Sequence, residues 1–233
     1  MQIEGSVALV TGANRGIGHA IALALLENGA TKVYAAVRRP ETVTDPRLTP
    51  VKLDVTNADD IAKAAELAQD VTIVVNNAGM SGVEAQLLNG PLSVAREVME
   101  TNVFGPWEVA RAFAPTLTRN GGGALVNVLS VASWWTSGTM PGYAASKAAA
   151  WSLTNALRAG LPQTLVVGVH SGFVDTEFSA AVTAPKITAE DLAAQTVKAL
   201  LEDRTEVLAD RFTTDTRAAL SGDIEDVLAI RPY

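Results

Sequence analysis

Along the chain, short β-branched apolar runs alternate with longer stretches whose apolar positions recur at helical spacing. The runs predict strands over Val7–Val10, Lys32–Val37, Val51–Val55, Val71–Asn76, Ala124–Leu129 and Thr164–His170, with a weaker seventh over Glu206–Leu208. Several are apolar at consecutive positions, as expected of strands covered on both faces. The longer stretches predict helices over Gly16–Asn28, Ala58–Ala68, Leu92–Arg119, Tyr143–Ala159 and Thr188–Glu202. Strand followed by helix, repeated, implies βαβ units. The expected fold is therefore α/β, a doubly wound parallel sheet of about seven strands with helices on both faces.

Punctuation residues agree. Gly29 ends the first helix, Asn57 and Thr188 are placed to cap two others, and Pro162 stops the fifth. Pro106 is expected to kink the long helix that contains it. No repeat, low-complexity tract or linker divides the 233 residues. We expect one domain over 1–233, with a cofactor half of roughly 1–120 and a catalytic and substrate half of roughly 121–233.

Composition narrows the chemistry. The chain has no cysteine and only two histidines, His19 and His170, far apart in sequence, so no disulfide framework or thiolate metal site is expected and the metal assignment is none. A formal charge of −7 opposes a role in coating nucleic acid. No apolar run approaches a membrane span, and the N-terminus lacks a basic segment followed by an apolar one. The expectation is a soluble, cytoplasmic protein with a small-molecule partner.

The first turn carries the first chemical signal. VALVTGANRGIGHAIALALLENGA is a buried strand, then Gly12, Gly16 and Gly18 at a Gly-x3-Gly-x-Gly spacing, then a helix. Such glycines let backbone approach a pyrophosphate while the helix N-terminus offers free N–H groups. A tight turn of purely structural purpose would look the same, and the spacing departs from G-x-G-x-x-G, so further support is needed.

Four more segments supply it. TGANRGIG, the LDVT of 53–56, the NNAG of 76–79, Ser130 at the end of ALVNVLS, and Tyr143-Ala-Ala-Ser-Lys147 occur in the order found in the short-chain dehydrogenase/reductase family, which this chain resembles over nearly its whole length. The resemblance implies a Rossmann-type sheet and a nicotinamide cofactor. It places Gly12, Asn14, Arg15, Gly16, Ile17 and Gly18 around the pyrophosphate, Asp54 and Val55 at the adenine, and Asn77, Ala78 and Gly79 beside the cofactor. Asn76 reads equally well as a sheet-stabilising residue. The run His170-Ser-Gly-Phe-Val-Asp-Thr176 is similar to the family's PG-x-V-x-T, with Ser171 where proline is usual. Gly172, Val174 and Thr176 are then expected along the nicotinamide, on a turn looser for lack of proline. His170 reads as a strand-end residue in preference to a catalyst.

Charge selects the cofactor. An NAD site usually carries a carboxylate at the end of the second strand, which would repel a 2′-phosphate. Here KVYAAV runs into Arg38-Arg39, with Val37 at that position. Arg38 could grip a 2′-phosphate through its planar fork and Arg15 close from the other side, although two surface arginines could also follow a strand by accident. The expected cofactor is NADP(H).

Tyr143 and Lys147 are four apart in a helical stretch and so share a face. A phenol of pKa about 10 is a poor base near neutrality, and the expectation is that the neighbouring ammonium, helped by the positive charge of an oxidised nicotinamide, favours the phenolate. Ser130 lies 13 residues before Tyr143 and can hydrogen-bond a substrate oxygen. Ser133 competes by residue type, but the resemblance favours Ser130. It also implies that Asn102 holds a water linked to Lys147, and that Lys147 binds the nicotinamide ribose. The expected activity is NADPH-dependent reduction of a ketone or aldehyde by Asn102, Ser130, Tyr143 and Lys147. The alternatives are an NADP-linked secondary-alcohol dehydrogenase, or a non-catalytic NADP-sensing protein, which the intact set disfavours.

Met80, Ser81, Ala132, Trp134, Met140, Phe173 and Phe178 flank these residues and would line an apolar substrate pocket, unless the paired tryptophans instead pack at a subunit contact. Only 22 positions separate Asp54 from Asn76, and the loop from Thr176 to Thr188 is brief. A short lid predicts an open cleft that admits bulky substrates. The long helix and the Tyr143 helix, rich in alanine, are expected to pair in a homodimer or homotetramer. The segment from Arg211 to Tyr233 fits no pattern.

Overall fold

The structure, a computed structural model, describes residues 1–84 and 86–232. Its centre is one sheet of seven parallel strands: β1 (Val7–Thr11), β2 (Lys32–Val37), β3 (Thr49–Lys52), β4 (Ile73–Asn76), β5 (Ala124–Val128), β6 (Leu165–His170) and β7 (Glu206–Leu208). They are ordered β3-β2-β1-β4-β5-β6-β7. The order reverses between β1 and β4, where Ala8 pairs with Ile73 and Val10 with Val75. In open parallel sheets, ligands bind at the carboxyl ends of strands flanking such a reversal.

Period-2 alternation builds two cores. Val10, Ile73, Val126 and Val167 face helices α1 (Gly16–Glu27) and α6 (Ala189–Leu201), where Ile21, Leu25, Leu192 and Leu200 meet them. The intervening Leu9, Val74, Leu125 and Val166 face the other side. There α2 (Ala58–Leu67) supplies Ile61, and α4 (Gly105–Arg119) supplies Val109, Phe113 and Leu117. Both layers are buried, which explains the unbroken apolar runs.

The long predicted helix is not continuous. It divides into α3 (Leu92–Met99), a π-helical turn over Glu100–Phe104, and α4. Pro106 opens α4 and has no N–H to close an α-type bond back to the Asn102 carbonyl. A side chain at Gly105 would meet the Val55 carbonyl oxygen at 2.8 Å. The extra residue of the π turn brings Asn102 inside, where it is buried. Strand ends also shift: Leu53–Val55 leave β3, and Val71 and Thr72 precede β4.

After α5 (Pro141–Gly160), the C-terminal segment folds into α7 (Arg211–Ala219) and α8 (Ile224–Ala229), which the sequence pattern did not predict. Among the described residues no helix is long and apolar enough to cross a membrane.

Candidate active site

The candidate residues follow the carboxyl ends of β1 to β6, in the loops and helices that leave those strands. The β1–α1 turn holds Gly12, Asn14, Arg15, Gly16, Ile17 and Gly18. Gly12 and Gly16 have φ of +69° and +56°, a region costly for other residues. A side chain on Gly18 would come within 2.5 Å of the Gly12 carbonyl oxygen, and one on Gly16 would lie 3.4 Å from the Thr176 methyl. No side chain caps α1, and its first turn carries no acid. Its leading N–H groups thus remain available to an anion, and the cradle fits a pyrophosphate.

Thr11 and Asn77 hold the cradle in place. The Thr11 hydroxyl accepts the amides of Asn77 (2.9 Å) and Ala78 (3.0 Å), and the Asn77 amide group donates to the Thr11 carbonyl at 2.9 Å. Asn77 therefore acts on the turn itself. Thr11 escaped the sequence reading, although it opens the TGANRGIG motif. Asp54 and Val55 follow β3, where one Asp54 oxygen accepts the Thr56 amide and hydroxyl at 3.0 and 2.8 Å.

Arg38 lies exposed just beyond β2 and forms no ion pair among the described residues. Arg15 differs from expectation: it pairs with Glu177 of the short 3-10 turn Glu177–Ser179 across the cleft. Both partners are well exposed, so the pair is weak and exchangeable.

On the other flank, Ser130 ends the β5 run and Tyr143 and Lys147 rise from the first turns of α5. The Ser130 hydroxyl accepts the Ala132 amide at 3.1 Å and engages the Tyr143 phenol. The Lys147 ammonium donates to the Val128 carbonyl at 2.8 Å and lies 5.7 Å from the centre of the Tyr143 ring. Burial pushes the Tyr143 phenol up to about 12, partly offset by Ser130, and pulls Lys147 down to about 8. Desolvation thus acts on Tyr143 in the direction opposite to the influence expected of a neighbouring positive charge, and the Ser130 hydrogen bond offsets it only in part. Ser133 is buried, and its hydroxyl has no hydrogen-bond partner.

The Asn102 side chain accepts the Met80 amide (2.9 Å) and donates to the Met80 carbonyl (2.9 Å) and to the Ser146 hydroxyl (3.0 Å). It ties the loop after β4 to α5. Ser146, one residue from Lys147, was not singled out from sequence. Beside them lies a cavity of about 10 Å³ lined by Asn76, Asn102, Asn127 and Lys147. Its size is at the lower limit for one water. Asn76 donates to Asn127 at 2.9 Å inside the sheet, while its carbonyl oxygen is buried without a partner. A water in that cavity would satisfy it.

The apolar lining is smaller than expected. The Phe178 ring, on a residue 55% exposed, lies 5.8 Å from the Tyr143 ring. Trp134 leaves the set: its ring stacks on His170 at 4.0 Å and meets Trp151 edge-on at 5.9 Å. Phe173 stacks on Phe212 of α7 at 6.5 Å. Gly172, Val174 and Thr176 lie in the segment after β6, and of these Thr176 comes next to Gly16 of the glycine turn. A separate surface concavity of about 510 Å³, lined by Leu208, Thr214, Arg217 and Leu220, contains none of the candidates.

Comparison with known proteins agrees with this geometry. The family model described as short chain dehydrogenase matches residues 6–187. A short chain dehydrogenase of Burkholderia cenocepacia, solved in complex with NADP, is 41% identical, covers 97% of this chain and 96% of its own, and superposes with a TM-score of 0.91. The 1-deoxy-11-beta-hydroxypentalenate dehydrogenase of Streptomyces exfoliatus is 33% identical over 97% of this chain and 90% of its own length. A Burkholderia phymatum member solved with NAD shares the fold at 24% identity and a TM-score of 0.82, covering 100% of this chain and 98% of its own.

Proposed function

The chain belongs to the short chain dehydrogenase family and is an oxidoreductase, and from that premise we propose that it reduces an apolar ketone or aldehyde to an alcohol using NADPH. The observation that carries this reading is the meeting of Ser130, Tyr143 and Lys147 beside the glycine cradle. When bound, the nicotinamide supplies hydride to the carbonyl carbon. Gly12–Gly18 and the first N–H groups of α1 would hold the pyrophosphate. Asp54 and Val55 would border the adenine, and Ala78, Gly79, Val174 and Thr176 would flank the nicotinamide.

Ser130 and Tyr143 hydrogen-bond the substrate oxygen, where negative charge develops. In the reductive direction Tyr143 donates its proton to that oxygen. Lys147 lies within reach of both the phenol and the Asn102 cavity, so a water there can return the proton. Lys147 also orients the ribose. The 55% exposed Phe178 supports an apolar substrate in an open cleft.

NADP(H) is favoured over NAD(H) by the unpaired Arg38 and by the apolar Val37 at the end of β2, and the 41% identical Burkholderia protein was solved with NADP. Pairing through α4 and α5 into a homodimer or homotetramer belongs to the same reading, supported by Phe104 and Trp107, each 44% exposed on or beside α4. The test is NADPH and NADH oxidation across a carbonyl panel. We expect kcat/KM at least roughly 10-fold higher with NADPH, the order of one charge-assisted phosphate contact. Equal values would refute the cofactor assignment, and no turnover of any carbonyl would refute the activity.

A further inference from the structure

The C-terminal segment, unreadable in the sequence, makes one contact at the edge of the site that its own folding does not require. Asp210 caps α7 with one carboxylate oxygen, Oδ1, which accepts the Thr213 amide and hydroxyl, both at 2.8 Å. Its other oxygen, Oδ2, reaches out of the helix and accepts the Gly172 amide at 2.6 Å. Gly172 belongs to the turn in which Ser171 replaces the family's proline.

The neighbouring peptide groups are tied down as well. The Ala209 amide donates to the His170 carbonyl at 2.9 Å, and the Val131 amide donates to the Ser171 carbonyl at 2.8 Å. A side chain at Gly172 would meet Phe212 at 3.1 Å and the Asp210 carboxylate at 3.2 and 3.3 Å, so the turn and the start of α7 are in close contact. Phe212 in turn packs against Phe173 and, at 5.2 Å, against Trp135 in the loop that follows Ser130.

We propose that Asp210 is a positioning residue for the redox site: through the Gly172 amide it sets the turn whose next residues, Val174 and Thr176, flank the nicotinamide. Proline fixes such a turn by covalent geometry. Here a charge-assisted hydrogen bond from a separate helix replaces the ring. The proposal rests on the reading of residues 172–176 as the nicotinamide wall. It assigns the two carboxylate oxygens different tasks, one to α7 and one to the turn, and these tasks are experimentally separable.

Asp210→Ser separates them, because serine is a good helix cap but its side chain is one atom too short to hold Gly172. Thr213→Val is the control, since it loosens the cap without touching Gly172. Hydrogen exchange of the protein without cofactor is the first readout. The Gly172 amide is expected to be protected in the unmodified protein, exposed in D210S and still protected in T213V. The second readout is steady-state kinetics with NADPH, in which D210S is expected to lose roughly 10- to 100-fold in kcat/KM, as misplaced reactants do, with little change in melting temperature.

Three results overturn the proposal: an unprotected Gly172 amide in the unmodified protein, which needs no variant to fold; unchanged exchange and kinetics in D210S; or equal loss of protection in D210S and T213V, which would make the turn a follower of helix stability. If the unmodified protein reduces no carbonyl, the redox reading fails, and the exchange pattern still decides whether Asp210 fixes the turn.

Discussion

The two flanks of the cleft are built from different materials. The β1–α1 cradle is almost wholly backbone: its glycines give way to let main chain approach a ligand, and Thr11 and Asn77 stitch it to β4. The opposite flank is made of side chains, with a phenol, an amine and a hydroxyl drawn from β5 and α5 and held under burial strong enough to move their proton affinities. The cradle therefore answers mainly to shape, and the side-chain flank mainly to charge. A substitution on the first flank should act through binding and packing, and one on the second through the proton.

Tyr143→Phe tests the charge side most severely. It removes the proton donor while preserving the ring, so kcat should fall by roughly 10²- to 10⁴-fold, with NADP+ affinity, read by titration calorimetry, nearly intact. A matching loss of affinity would erase the distinction between the flanks. Gly18→Ala tests the shape side. Its new methyl would sit 2.5 Å from the Gly12 carbonyl oxygen, a backbone collision worth about 1–3 kcal/mol of stability. Melting temperature and NADPH binding should fall together.

His170 extends the comparison to protein stability. Buried behind Ser130, with its Nδ1 3.2 Å from the Ser130 carbonyl, it is held down to about 4 by desolvation. Its folded pKa lies below the unfolded value of about 6.5, so the unfolded chain takes up the proton first. The corresponding stability is complete above pH 6.5 and drains away as pH falls toward 4, by at most about 3 kcal/mol. In His170→Gln, denaturant unfolding should lose this part of the pH dependence. A wild-type curve flat over that window would argue against a neutral buried imidazole.

The smallest effect is expected at Arg38→Ala, on the exposed rim of the cradle. It should raise KM for NADPH by roughly 10-fold, the scale of one charge-assisted contact, with NADH kinetics unmoved. An equal change for both cofactors would locate the 2′-phosphate elsewhere.

Legibility in the sequence followed the range of the forces involved. The seven strands and the glycine turn were readable because burial on both faces and close backbone approach leave marks on consecutive residues. Tyr143 and Lys147 were readable as a pair because helical spacing brings residues four apart together. The split of the long helix was only half visible: Pro106 announced an irregularity, but the π turn depends on Gly105 meeting Val55 and on Asn102 bonding Met80, contacts made across the fold. The contacts of Trp134 were hidden for the same reason. Trp134 is adjacent in sequence to the Ser130 loop, yet its ring is claimed by His170 and Trp151.

The amino-acid order alone thus determined the parallel sheet, its carboxyl edge, and the chemical groups available there, since each is written in local spacing and side-chain type. Only the tertiary structure decided how burial shifts the proton affinities of Tyr143 and Lys147 and how the loops that carry the site are braced. Desolvation of Tyr143 and the reach of Asp210 to Gly172 arise between segments distant in sequence, and no local pattern encodes how deeply a side chain is buried or which distant amide it meets.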